Sequence, residues 1–191
     1  MKIFSKWLIL SGLVLCLTGV ISPMTYTTPK LPEQGALDLG IGGSVAINGD
    51  YQVLVMGEYS LSSSISPVLR VGYQHTEQSG KGFYAGLEGK IIIAERFGGT
   101  DYFSLLLGAH YCEKAGLDTG LVIGNFFQNF DNYVGLDFDI NFFDEITYPG
   151  HFILGVKIKP FSGQQGLVIE LGLPVTSFTT YTFDLAMRFD I

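Results

Sequence analysis

The sequence predicts an all-β fold: a closed antiparallel up-and-down barrel of about ten strands, with eight as the smaller alternative. Three observations carry this. From Gly35 onward, apolar and polar residues alternate with period two, as they do in a strand whose two faces meet different surroundings. Hydrophobic residues make up 47% of the chain and charged ones only 15%, against the roughly 25% charged residues usual in globular proteins. Much of the surface is therefore not built for water. Beyond the N-terminus no segment offers the roughly 18 continuous apolar residues of a membrane-crossing helix, so the apolar content must lie in strands.

The 191 residues suffice for one domain. Residues 1–22 read as a secretory signal: Lys2 and Lys6 precede an apolar run from Trp7 to Ile21, about the length of a signal core. Val20 and Ser22 loosely meet the small-residue rule for cleavage, although Pro23 follows directly. Cys16 as a lipidation site is disfavoured by the bulky Leu15 before it, and the run is short for an uncleaved anchor. Once this segment is removed, Cys112 is the single cysteine and no internal disulfide can form. Residues 23–34, with Pro23, Pro29 and Pro32 and no periodicity, read as an extended lead-in. Residues 35–191 are the barrel.

In the first strand Leu37, Leu39, Ile41, Val45 and Ile47 form one face, and Asp38, Gly40, Gly42, Ser44 and Ala46 the other. Asn48-Gly49-Asp50 then makes a tight hairpin turn. The pattern repeats through strands at about 51–62, 67–77, 82–97, 101–112, 116–128, 132–144, 150–160, 166–175 and 179–191. Clusters rich in Gly, Ser, Asn, Asp and Pro separate them.

A soluble barrel also alternates, so the outer face is assigned on other grounds. The polar face is rich in glycine (Gly40, Gly42, Gly72, Gly86, Gly108, Gly120, Gly124, Gly135, Gly155 and Gly172), as suits a crowded interior. The apolar face carries Leu105, Leu107, Leu121, Ile123, Leu136, Phe138 and Ile140, more volume than a narrow barrel encloses. Its aromatics gather toward strand ends: Tyr51, Tyr73, Phe83, Tyr111, Phe142, Phe152 and Tyr181 at one, Tyr59, Phe97, Phe103, Phe127, Phe161 and Phe189 at the other. Two aromatic belts around an aliphatic band match the two interfaces of a bilayer. The apolar face is assigned to lipid and the polar face to the lumen.

The presumed mature region resembles the small outer-membrane β-barrel proteins of Gram-negative bacteria. The last strand resembles their C-terminal assembly signal, with Tyr181, Phe183, Leu185, Met187, Phe189 and Ile191 alternating apolar to the end. It departs from that signal in ending on Ile191 instead of an aromatic residue. The resemblance implies a location in the outer membrane, with membrane lipids and the outer-membrane assembly machinery as partners.

The inward positions carry acids (Asp38, Glu58, Glu88, Asp118, Asp137, Asp139, Glu170, Asp184) and bases (Arg70, Lys90, Lys157, Lys159, Arg188). Counting register from the turns places Arg70 opposite Glu88 or Lys90, and Asp137 and Asp139 opposite Lys157 and Lys159. Closure between the first and last strands brings Arg188 near Asp38. These residues are expected to form a lumen ion-pair network. Two functions fit: a structural barrel, or a narrow polar pore with a weak preference for cations.

The alternatives are a soluble periplasmic lipid-binding calyx and, further off, an outer-membrane lipid-modifying hydrolase. A calyx needs a polar outer face and usually a helical lid, and no segment supplies one. For hydrolysis, His110 and Asp118 on neighbouring strands offer half of a general-base arrangement. Ser104 is about 20 Å along the strand from His110, out of reach as a nucleophile. The connections, all of roughly three to seven residues, are too short to present chemistry above the rim. The chain is read as non-enzymatic and without cofactor, since it has no phosphate-binding glycine loop and no zinc-type Cys/His spacing. Its net charge of −7 with no basic cluster argues against nucleic acid.

Overall fold

The computed structural model of the chain describes Thr28 and residues 30–76, 80–96, 101–142, 146–159 and 165–190. The proposed signal segment lies outside the described residues. Eleven strands follow in order: β1 (Leu37–Ala46), β2 (Tyr51–Tyr59), β3 (Ile65–Thr76), β4 (Gly80–Arg96), β5 (Asp101–Cys112), β6 (Lys114–Phe126), β7 (Phe130–Phe142), β8 (Ile146–Thr147), β9 (Gly150–Ile158), β10 (Gln165–Pro174) and β11 (Thr182–Asp190). Each stave pairs antiparallel with its neighbours, β6 pairs with β7, and β1 pairs with β11. The ladder therefore closes into a barrel of ten staves, with the two-residue β8 as an upward extension beside β7. Closure leaves no stave with an unpaired edge.

Local sequence explains the turns. Gly49 takes a positive φ of 92° between β1 and β2, and the Asn48 and Asp50 side chains hydrogen-bond to each other at 2.9 Å across it. Between β7 and β9 the chain departs from the expected register. Counting from the turn placed Asp137 and Asp139 opposite Lys157 and Lys159, but Asp137 lies opposite His151, and Lys157 lies opposite Asp131. The cause is Pro149. Its missing N–H interrupts the ladder without ending it, so β8 already pairs at Asn141↔Thr147 and β9 resumes in the same register at Phe138↔Gly150. The turn is thus nearer to residue 144 than the sequence DEITYPG suggests. A second irregularity, a register shift between Ile92 and Ala94, bends the end of β4 against β5.

The alternation is realised with the polar face inward. Along β1 the even residues are buried, Asp38 to Ala46, and Leu39, Ile41 and Val45 are exposed. The contrast holds around the ring: Phe83 is 65% and Tyr111 55% exposed on the outside, whereas Glu58 is 1% and Arg188 3% exposed inside. Tyr51, Tyr73, Phe83, Tyr111 and Phe142 stand exposed toward one end of the barrel, and Tyr59, Phe127 and Phe130 toward the other. Phe97 and Phe161, assigned to the second belt, lie outside the described residues.

The interior also contains apolar side chains, of which the sequence pattern singles out Tyr84 and Tyr133 as lumen-filling but not the aliphatic ones. Leu54, Met56, Tyr84, Leu106, Val122, Tyr133, Ile153, Val168 and Ala186 form one buried cluster inside the barrel. Inward glycines seat the larger of these groups and leave little open space. Gly155 lies under the Tyr133 ring, Gly86 under the Tyr84 hydroxyl, and Gly40 under Arg188 and Met56. An alanine at Gly155 would drive its Cβ into the Tyr133 ring, while one at outward Gly57 would meet only Leu39 Cδ2 at 3.5 Å. Gly155→Ala is expected to destabilise the barrel by about 1–3 kcal/mol, and Gly57→Ala by under about 0.5 kcal/mol. Urea unfolding of the detergent-refolded chain measures both, and equal midpoints would show that these glycines seat nothing.

Candidate functional site in the barrel lumen

Polar lumen residues gather toward both ends of the barrel, while Arg70, opposite Met56 in the ladder, and Glu170, bonded to Tyr133, lie among the apolar cluster between them. The layer near the chain termini is built from strand ends around the β1–β11 seam. Arg188 on β11 donates from Nε to Asp38 Oδ1 at 2.9 Å and from Nη2 to Asp38 Oδ2 at 2.6 Å. The same Nη2 reaches Glu58 Oε2 on β2 at 3.0 Å. Such a fork on a carboxylate is the strong, geometrically specific form of ion pair. Lys90 on β4 reaches past β3 to pair with Glu58, and Lys157 Nζ stands 4.0 Å from Asp38. Lys159 pairs with Asp131.

The lead-in completes this layer. Lys90 Nζ donates to the backbone carbonyls of Thr28 at 2.9 Å and Lys30 at 3.0 Å. Leu31 is buried, and Lys30 Nζ lies 6.0 Å from the Phe126 ring centroid. Thr28, Lys30 and Leu31, from the segment that read as a featureless lead-in, thus lie against the lumen residues at this end. No periodicity announces this, because the contacts are made by carbonyls that every residue owns.

Arg70 and Glu88 pair at 2.8 Å between Nη1 and Oε1, although Arg70 lies opposite Gly86 in the ladder and Val68 opposite Glu88. The contact is diagonal, within reach of a long side chain. Glu170 accepts a hydrogen bond from the Tyr133 hydroxyl at 2.5 Å, and Asp184 accepts one from Thr182 Oγ1 at 3.2 Å. Both acids thus use a neighbouring hydroxyl as one of their partners.

The layer at the opposite end is neutral amide, hydroxyl and imidazole as much as charge. Gln52 Nε2 donates to Gln74 Oε1 at 3.1 Å. His151 Nε2 donates to the Thr180 carbonyl at 2.9 Å. His110 Nδ1 lies 2.5 Å from Asp118 Oδ1, and its Nε2 lies 2.8 Å from Asn141 Oδ1. His110 itself is opposite Gly116, so the ring lies across a residue with no side chain to block it. Asp139 faces Asp118 directly across the β6–β7 ladder, and Asp137 lies one inward position further along β7. Ser104 is buried six residues from His110 and opposite Val122, so it forms no nucleophile–base pair with it.

Sequence reasoning missed Asp131, Gln52, Gln74 and Asn141 as lumen residues, and placed His151 only at a strand start. Asn141 and the two glutamines were readable from parity but carry no charge to draw notice. Asp131 was hidden in the turn-like run QNFDN, where β7 in fact begins at Phe130.

No protein-family model matches the chain, and no curated protein matches it in sequence. Solved structures of similar outline include a designed transmembrane β-barrel, the KdgM porin, and the N-terminal β-barrel domain of Pseudomonas aeruginosa OprF. The designed barrel is 12% identical with a TM-score of 0.45, covering 83% of this chain and 98% of that one. The KdgM porin is 12% identical with a TM-score of 0.45, covering 82% and 99%. The OprF domain is 11% identical with a TM-score of 0.40, covering 83% and 98%. The likeness is one of general outline; the closed ladder of this chain is established by its own register.

Arg188→Ala would leave the buried Asp38 and Glu58 without their shared guanidinium. The expected cost is about 3–5 kcal/mol, read as a lowered urea midpoint. Removing charge from both sides, in Arg188→Met with Asp38→Asn, is expected to recover part of that loss. A single mutant no less stable than the double would show that the seam does not depend on this pair.

Proposed function

We propose that the chain is an integral outer-membrane β-barrel with a packed lumen, serving as a structural, non-enzymatic element of that membrane. The carrying observation is the inversion of its surfaces: large apolar side chains cover the outside while ion pairs fill the inside. Exposed apolar patches on soluble monomers rarely exceed a few hundred Å². Here the apolar band encircles the barrel, and aromatic residues flank it at both ends. A bilayer is the surrounding that turns such a band from a liability into an anchor. A lipid-binding calyx requires the reverse, an apolar cavity within and polar groups without.

The structural reading is favoured over the narrow pore by the interior. Leu54, Val68, Tyr84, Ile153 and Val168 have no exposed surface at all, and the lead-in carbonyls are tied to Lys90 at one mouth. A ten-stave barrel is close to the size that side chains can fill. The C-terminal strand, paired on both sides and apolar outward, supports delivery by the outer-membrane assembly machinery.

Fractionation of cells producing the full chain tests the membrane reading. The protein is expected with the outer membrane, to need detergent, and to migrate differently before and after boiling; recovery from the detergent-free periplasm would overturn the proposal. Leu121→Arg, in the lipid-facing band, is expected to cost about 2–4 kcal/mol and to impair assembly, measured by urea titration in lipid vesicles. In planar bilayers the folded protein is expected to show no resolvable conductance steps. Small cation-preferring steps that grow on Lys90→Met, which frees the lead-in, would instead support the pore.

A further inference from the structure

We propose that His110, Asp118 and Asp139 form a binding site for one divalent transition-metal ion, of which Zn2+ is the natural probe, inside the barrel near the end opposite the termini. One ligand atom from each of these three buried residues lies within 4.8 Å of the other two. The residues come from three consecutive strands, β5, β6 and β7, so the ladder itself fixes their spacing.

The imidazole is already oriented as a ligand would be. With Nε2–H donating to Asn141 Oδ1 at 2.8 Å, Nδ1 turns its lone pair toward Asp118. An outer N–H held by an oxygen acceptor is the usual arrangement behind a metal-bound histidine. Nδ1 and the Asp118 carboxylate are then two lone-pair donors 2.5 Å apart, which something positive must join. A proton does so at that distance. A metal ion with bonds of about 2.0–2.2 Å takes its place once the pair opens to about 3 Å, and the proton leaves to solvent.

Two further observations point to a ligand. Asp118 is 7% exposed, and its second carboxylate oxygen, Oδ2, is buried with no hydrogen-bond partner. The Tyr84 hydroxyl is likewise buried and unpartnered. Its ring stacks on His110 at 5.6 Å between centroids, and the hydroxyl interacts electrostatically with Asp118 and Asp139. Asp118 Oδ2 and the Tyr84 hydroxyl thus bring two buried polar atoms with unused bonding capacity to the same imidazole.

Charge argues the same way. Asp118 and Asp139 are directly opposed on the ladder, a repulsive arrangement even at a surface and more so in a dry interior. The inward positions of β6 and β7 from Gly116 to Asn141 include no Lys or Arg, and Arg70 on β3, which acts electrostatically on Asp118, is itself paired with Glu88. One imidazole nitrogen with two carboxylates suits zinc and its first-row neighbours better than calcium or magnesium, which prefer all-oxygen sets. The inference rests on the lumen geometry and stands whichever solvent surrounds the barrel.

Titration calorimetry of the full chain, folded in detergent and stripped with chelator, tests it. One equivalent of Zn2+ is expected to bind with a dissociation constant in the micromolar range or tighter, with Ca2+ and Mg2+ at least a hundredfold weaker. Asp139→Asn and His110→Gln are expected to weaken Zn2+ binding more than tenfold, while His75→Gln, on the outer face, leaves it unchanged. Zn2+ should also raise the thermal midpoint of the unmutated protein, a readout that needs no variant to fold. Absence of saturable binding by the unmutated protein at millimolar Zn2+ would overturn the proposal, as would stoichiometric binding that survives in folded Asp139→Asn and His110→Gln.

Discussion

The closure of the backbone ladder between β1 and β11 is the constraint on which everything else in this molecule depends. A strand carries a row of N–H and C=O groups on each side, and in hydrocarbon each unsatisfied group costs several kcal/mol. Nine residue pairs, from Asp38↔Asp190 to Ala46↔Thr182, close that row. Closure then fixes the register of every other strand, and register fixes which side chains face inward. The Arg188 fork on Asp38 sits on this seam and secures with side chains what the backbone has already joined.

Once the polar face is enclosed, the interior has to be filled at the density of any protein core. Two devices achieve this. Small residues lie beneath large ones, as Gly155 beneath Tyr133, Gly116 beneath His110 and Gly166 beneath Lys157. Long charged side chains meet across strands that are not neighbours, as Lys90 does with Glu58. Buried ion pairs are weak evidence of stability by themselves. Here they allow one sequence to be apolar outside and still keep an interior that specifies a single arrangement.

Much of this was legible in the sequence because a period of two has only one geometric meaning. Leu39 and Asp38 could be assigned to opposite faces without knowing any partner, and the number of staves followed from the turn clusters. The pairing of Arg188 with Asp38 was also legible, since it needed only the assumption of closure. What was hidden depends on distances between strands. Placing Asp137 and Asp139 opposite Lys157 and Lys159 was a miscount caused by reading Pro149 as the end of a turn, when the ladder passes through it. Glu58 with Lys90 skips a strand and no register count proposes it. The seating of Lys90 against the Thr28 and Lys30 carbonyls leaves no mark in side-chain pattern. Inward Leu54, Leu106, Val122 and Val168 ran against the simple polar-in reading.

The topology also dictates how the chain reaches this state. Every contact between staves joins sequence neighbours except one. Hairpins can therefore zip in order with little loop entropy at each step, while the Arg188–Asp38 contact closes a separation of 150 residues. Loop-closure entropy grows only logarithmically, about 0.6 kcal/mol for each doubling of length, so the final equilibrium hardly notices that span. The rate does, because non-local pairing is what slows folding. Until β11 meets β1, the growing sheet has two raw edges, both able to add a foreign strand. The interval before that last pairing is when the chain is most exposed to aggregation, and a partner that holds the two edges until they meet would act on rate and leave the folded state unchanged.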